Sequence, residues 1–205
     1  MRCNIVRSCR LAAWSTLAVL VWAAPARAQV TEVEVGVTPS CPYGLSSCWA
    51  GAYEALGKLE GVQSVATTPD AYNCTAHVYL KDRSLPDVAK WAKQFESLVG
   101  KSYEFRGVEV TIRATVEVKD GRLVLQAPGL KEPVALAPLE HRLQWNFKKS
   151  AARQPEPDER DAYQQLAARN KEAKGGGFRV EVTGPLRVTD KGPVLEVREF
   201  FPTGR

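Results

Sequence analysis

Apolar and polar residues alternate with two different periodicities along residues 33–112. Apolar positions at every second residue predict strands at 33–37, 62–67, 74–80 and 108–112. Between them, apolar residues recur every three or four positions, which predicts amphipathic helices over 48–59 and 85–99, capped by Ser46 or Ser47 and by Ser84. The order strand–helix–strand–strand–helix–strand is that of a ferredoxin-like βαββαβ unit, so the chain is predicted to be α+β.

The pattern of the second half of the chain predicts a series of short strands. They are predicted at 115–118, 123–126, 134–136, 178–183 and 194–200, with a charged, alanine-rich surface helix over 158–173. Residues 143–147 extend the third strand or form another. Three strands, a helix and two strands resemble the chain order of a small OB-like β-barrel. We therefore expect a ferredoxin-like domain at 29–113 and an OB-like barrel domain at 114–205.

The first 28 residues have the composition of a secretory signal peptide. Arginines precede the apolar run 11–24, and Ala26-Arg27-Ala28 has the small-x-small pattern of a cleavage site. We expect cleavage after Ala28 and a periplasmic or secreted chain that is not stably inserted in a membrane. The three later cysteines, Cys41, Cys48 and Cys74, would then lie in an oxidising compartment.

Removal of the signal peptide changes the charge of the protein. The full chain has 28 basic and 23 acidic residues, a net charge of +5, and four of the arginines leave with residues 1–28. The remaining net charge of +1 gives no reason to expect nucleic acid as a partner. No pairing of acid, base and nucleophile is recognisable in the sequence, so we expect no enzymatic activity.

The cysteines Cys41 and Cys48 carry the most specific chemical signal. Cys41 lies in a loop after the first strand, and Cys48 opens the first helix, which ends at Gly61-Val62. This segment resembles the start of a heavy-metal-associated domain of mercury and copper carriers, and the resemblance covers about 33–112. In that family a Cys-x-x-Cys pair opens the helix, and Cys48 matches its second cysteine. Leu45 stands where the first belongs.

The resemblance implies a soft-metal site with Cys48 and Cys41 as ligands for an ion such as Cu(I) or Hg(II). Cys48 at the helix N-terminus is favoured as a thiolate, because the helix dipole is positive there. The partner of the protein would then be a metal ion.

The alternative is a disulfide between Cys41 and Cys48. The chain would then be a non-catalytic interaction or scaffold protein, whose barrel binds a protein partner or a glycan. We expect Cys74 to be a small buried side chain, because the loop between the second and third strands is expected to point away from the cysteine-bearing end. Trp145 and Phe147 are expected on one face of a strand, within the core.

Overall fold

A computed structural model describes residues 29–130, 132–173 and 177–203. The predicted signal peptide, residues 1–28, lies outside these ranges. Within them, no helix combines the length and the apolar character needed to cross a bilayer. The chain combines helices with a large sheet and is α+β, as predicted.

The first half has the predicted order of elements. They are β1 (Gln29–Pro39), α1 (Trp49–Gly57), β2 (Val62–Val65), β3 (Thr75–Leu80), α2 (Val88–Val99) and β4 (Tyr103–Lys119). The strands lie in the order β4–β1–β3–β2, and every neighbouring pair is antiparallel. Alternate side chains of β1 and β4 enter a core that includes Leu56 of α1 and Trp91 and Phe95 of α2.

The second half closes into a ring of strands. Its elements are β5 (Arg122–Gln126), β6 (Val134–Pro138), β7 (Trp145–Asn146), β8 (Ala151–Ala152), α3 (Pro157–Glu172), β9 (Phe178–Thr189), β10 (Gly192–Val197) and β11 (Glu199–Pro202). The ring runs β4–β5–β6–β10–β9 and returns to β4, and only its β6–β10 pair is parallel. β11 adds to β9, while β7 and β8 form a separate ribbon.

Strand β4 belongs to both halves. The sequence predicted separate strands at 108–112 and 115–118, but one strand of 17 residues runs through both. Its residues 103–113 pair with β1, and its residues 108–116 pair with β9 on the other side. Residues 108–112 are all buried, burial resumes at Ala114 and Val116, and no turn residue interrupts the strand. The predicted domain boundary at 113/114 therefore falls inside a paired strand.

Two helix starts differ from the sequence predictions. Helix α2 begins at Val88 rather than at residue 85, because Pro86 precedes it and the Asp87 carboxylate accepts a hydrogen bond from Lys90 N–H at 3.0 Å. Ser84, the predicted cap, instead donates to Asp82 at 2.6 Å. Helix α1 begins at Trp49, and its N-cap is Cys48 rather than one of the preceding serines.

We predict that Gly184→Ala destabilises the protein. Gly184 lies in β9 opposite Val110 of β4. A methyl group there would overlap the carbonyl oxygen of Glu196 and lie 2.9 Å from its carbonyl carbon. Because backbone atoms cannot rotate away, we expect a loss of about 2–3 kcal/mol in the free energy of unfolding, measured by urea denaturation.

Gly57→Ala is the matched control, because nothing lies within 4 Å of a methyl group at this helical position. It should leave stability unchanged or raise it by up to about 1 kcal/mol. Equal stability of the two variants would contradict the close approach of Gly184 to Glu196.

Candidate functional site: the disulfide loop and the adjoining cavities

The two predicted soft-metal ligands are bonded to each other. Cys41 and Cys48 form a disulfide, which is the alternative that the sequence left open. Neither sulfur is a thiolate in this state, so metal coordination by the pair requires reduction first. A disulfide at this position is typical of proteins in oxidising compartments.

Leu45, three residues before Cys48, anchors the disulfide loop to the core, since it is only 1% exposed. The sulfur bonded to Cys48 comes from Cys41, seven residues earlier.

The disulfide loop is fastened to the neighbouring strands at both ends. At its start, Ser40 N–H donates to the carbonyl of Ser102 at 2.9 Å. At its end, the hydroxyl of Tyr103 donates to the carbonyl of Cys48, and the indole N–H of Trp49 donates to the carbonyl of Thr67 at 2.8 Å. The loop is thus held against β4 and against the connection between β2 and β3.

The remaining cysteine is buried as predicted, but its expected location was wrong. Cys74 is fully buried, and its carbonyl accepts a hydrogen bond from Val37 N–H at 3.0 Å. Since β3 is antiparallel to β1, with Thr75 opposite Gly36, β3 begins where β1 ends. The β2–β3 connection therefore lies at the same end of the sheet as Cys41. Burial raises the pKa of the Cys74 thiol and so disfavours its thiolate.

The predicted placement of Trp145 and Phe147 on one strand face is also wrong. Strand β7 has only two residues, and Phe147 begins a 3-10 turn in which Asn146 accepts a hydrogen bond from Lys149 N–H at 3.1 Å. Both rings are partly buried and pack against the core from its edge. The short side chain of Asn146 at a turn start is the sequence signal that could have revealed this.

These aromatic rings line a cavity beside the disulfide. The cavity has a volume of about 690 Å³, and we call it the aromatic groove; its walls include Cys41, Tyr43, Trp145, Phe147 and Lys148. Tyr43, within the disulfide loop, is 79% exposed. The groove therefore presents aromatic surface that is held by a covalently closed loop.

A second cavity lies on the other side of Trp145. It has a volume of about 680 Å³, and we call it the junction cleft; its apolar walls include Val88 and Ala92 of α2, Phe105 of β4, Trp145, and Leu186 of β9. Trp145 and Glu104 line both cavities. The cleft is lined by elements of both halves of the chain.

A β-bulge places an arginine in the junction cleft. The pairing of β1 with β4 shifts between Gly36–Gly107 and Val37–Phe105, which leaves Arg106 as the extra residue. Gly107 has a φ of 124°, a conformation that suits glycine. The bulge makes Arg106 line the cleft instead of continuing the buried row of β4 side chains.

The guanidinium of Arg106 is largely enclosed. It donates to Thr38 Oγ1 at 2.7 Å, to the carbonyl of Cys74 at 2.6 Å and to the carbonyl of Leu143. It also lies 5.2 Å from the ring centre of Trp145. Burial lowers the pKa of Arg106 to about 10.

An ion network beside the cleft joins α3 to the shared strand. Arg198 contacts Glu109 of β4 at 2.8 Å and Glu159 of α3 at 3.6 Å, and Arg142 contacts Glu159 at 3.0 Å. Glu109 is only 3% exposed, and burial raises its pKa although Arg198 opposes the shift. Because these charges are paired with one another, the network is suited to holding elements together.

The structure also brings His141 near two carboxylates. Ligand atoms of Glu140, His141 and Glu196 lie within 4.8 Å of one another. The guanidinium of Arg187 stands among them, 2.6 Å from Glu196 and 3.4 Å from Glu140. Glu196 also accepts hydrogen bonds from the backbone N–H groups of residues 140 and 141, at 2.8 and 3.0 Å. The guanidinium of Arg187 already pairs with both carboxylates of this group.

Comparison with known proteins gives no relative from which a role could be transferred. No family model, curated protein or solved structure matches this chain. The functional argument therefore rests on the side chains of the groove, the cleft and the disulfide loop.

Two carboxylates face each other across β1 and β4, where Glu34 is paired in register with Glu109. Burial raises the pKa of Glu34 above its ordinary value of 4.5, and the neighbouring Glu109 carboxylate raises it further. The folded chain therefore holds this proton more tightly than the unfolded chain does.

We predict that Glu34→Gln makes the protein lose less stability than the wild type when the pH is raised. The contribution of Glu34 is fully present below its ordinary, unfolded pKa and is lost as the pH rises through its raised folded pKa. Glutamine stays neutral, so the melting temperature of the variant should rise relative to that of the wild type as the pH increases above the ordinary pKa of glutamate.

Glu117→Gln is the control for this experiment, because Glu117 lies at an exposed position of β4 and is not among the charges that shift the pKa of Glu34. Thermal melts of both variants across the pH range make the comparison. The burial effect at Glu34 is refuted if the two variants show the same pH dependence.

Proposed function

We propose that this chain is a non-catalytic, exported interaction protein whose aromatic groove receives a protein partner. The observation that carries the proposal is the Cys41–Cys48 disulfide at the edge of that groove. The disulfide uses both candidate metal ligands and fixes the loop that bears Tyr43. Aromatic residues held in a fixed conformation favour protein recognition, since they contribute large contact areas at a low cost in conformational entropy.

The strand order supports the predicted fold names. A sheet ordered β4–β1–β3–β2 with two helices is that of a ferredoxin-like unit, and it serves here as the scaffold of the disulfide loop. A five-stranded ring with a helix between its third and fourth strands is expected of an OB-like barrel. We propose these as the two units of the chain.

Export through the predicted signal peptide completes the proposal. The disulfide supports an oxidising compartment, either the periplasm or the extracellular space. Mass spectrometry of the exported protein should find an N-terminus at Gln29, and a retained 1–28 segment would contradict cleavage.

The competing proposal is a soft-metal carrier that is active only when the pair is reduced. Cys48 is the N-cap of α1, so the helix dipole would favour its thiolate. This proposal requires three free thiols in the exported protein, whereas the interaction proposal requires one.

We predict that the exported, non-reduced protein contains one titratable thiol. Cys74 is the free cysteine within the described chain, and its burial makes denaturing conditions necessary for the titration. A count of three thiols would overturn the interaction proposal in favour of the metal carrier.

A metal titration separates the two functions further. Non-reduced protein should bind Cu(I) or Hg(II) no better than the Cys41→Ser/Cys48→Ser double variant. Cys74→Ser, which leaves the disulfide intact, controls for binding at the third sulfur. Tight binding by non-reduced wild type that the double variant loses would contradict a permanently closed disulfide.

A further inference from the structure

Arg106 is a largely enclosed cation with no carboxylate in contact, because the exposed Glu104 acts on it only from beyond salt-bridge distance. No Asp or Glu oxygen within the described ranges lies within 4.0 Å of its guanidinium, whereas the cleft's Arg142 and Arg187 each contact a glutamate within that distance. Its three hydrogen bonds go to a hydroxyl and two carbonyls, which are neutral. A guanidinium has five N–H donors, so two of them are free of bonds to the described chain. Burying a charge without a counter-charge is unfavourable, and an anion in the cleft would relieve that cost.

The rest of the junction cleft is suited to an apolar group. Val88, Ala92, Phe105 and Leu186 form its walls, and its volume of about 680 Å³ suits a small molecule. The other cations of the cleft are neutralised, because Arg187 contacts Glu196 at 2.6 Å and Arg142 contacts Glu159 at 3.0 Å. The exposed Glu104 at the rim disfavours a second negative charge on the ligand.

We propose that the junction cleft binds a small amphipathic monoanion, a carboxylate with an aliphatic or aromatic body. The carboxylate lies against the free N–H donors of Arg106, and the apolar body lies between α2 and β9. Charge-assisted hydrogen bonds to a guanidinium are strong in such partly dry sites. Trp145, which stacks over Arg106, closes one side of the site. This proposal does not depend on a protein partner in the aromatic groove.

The bulge at Arg106 supports a binding role. Bulges commonly re-aim a side chain next to a functional site. Without the extra residue, position 106 would continue the inward row of Val108, Val110 and Ile112. The chain instead turns a charged side chain into a cavity whose walls come from both α2 and β9.

Calorimetric titration with octanoate, and with 1-octanol as its uncharged counterpart, tests the proposal on the whole exported protein. Octanoate should bind at one molecule per chain, and octanol about tenfold or more weakly, because it lacks the charged group. The octanoate affinity should fall as salt is raised from about 0.05 to about 0.5 M. Equal affinity for the two compounds, or no binding of octanoate at millimolar concentration, overturns the proposal.

Two variants locate the site. Arg106→Gln should weaken octanoate binding about tenfold or more without changing octanol binding. Because Arg106 also fastens β1 and the start of β3, circular dichroism must show that this variant is folded. Ala92→Phe fills the cleft from α2 and leaves Arg106 intact, so it should weaken the binding of both octanoate and octanol. If Arg106→Gln is unfolded, this second variant alone tests where octanoate binds.

Arg113→Gln is the matched control, since this arginine is half exposed and pairs with Glu181 away from the cleft. It should bind octanoate as the wild type does. Wild-type affinity in Ala92→Phe, or an equal loss in Arg113→Gln and Arg106→Gln, would place octanoate elsewhere and overturn the assignment. Thiol titration tests the interaction proposal independently, so failure of one leaves the other standing.

Discussion

The continuous pairing of β4 is the constraint on which the rest of the structure depends. Over residues 108–113 the strand is bonded to β1 on one side and to β9 on the other. Three features of the candidate site depend on residues of this strand. Tyr103 holds the disulfide loop, Arg106 lines the junction cleft, and Glu109 anchors the ion network that reaches α3. The relative positions of the groove and the cleft follow from this one strand.

The disulfide matters more for conformation than for overall stability. A loop as short as that between Cys41 and Cys48 gains only about 2–3 kcal/mol from loop-closure entropy. Its larger effect is to hold Tyr43 in the same groove as Trp145 and Phe147. Under the proposed interaction function, the groove is then formed before a partner binds. Pre-ordering of this kind lowers the entropic cost of binding. Soft-metal binding by the same two cysteines would require this disulfide to be reduced first.

Much of the fold could be predicted from the sequence, because local hydrophobic patterns determine most of its helices and strands. The alternating valines of β1 and the apolar face of α2 each gave the correct element. The sequence does not reveal the continuity of β4, because the chain pattern changes after Ile112 although no turn residue stands there. The position of Cys74 was missed for a different reason. It depends on the direction of β3 relative to β1, which hydrophobic periodicity does not report.

The candidate site was predicted only in part. The sequence identified the cysteine pair and its two possible states, but Arg106 carried no motif. The one local hint is Arg106-Gly107 within a strand, since glycine in a strand often marks a bulge. That the guanidinium lacks a carboxylate depends on which residues approach from α2, β9 and residues 141–145. Such long-range contacts are not encoded in any short segment.

Native-state hydrogen exchange of the backbone amides tests the shared strand most directly. If β4 joins the two halves, amides of β1 and β9 that are bonded to residues 108–113 should exchange through one common opening, with the same free energy and the same denaturant dependence. Two separate openings, with β9 released while β1 and its helices stay protected, would contradict the account.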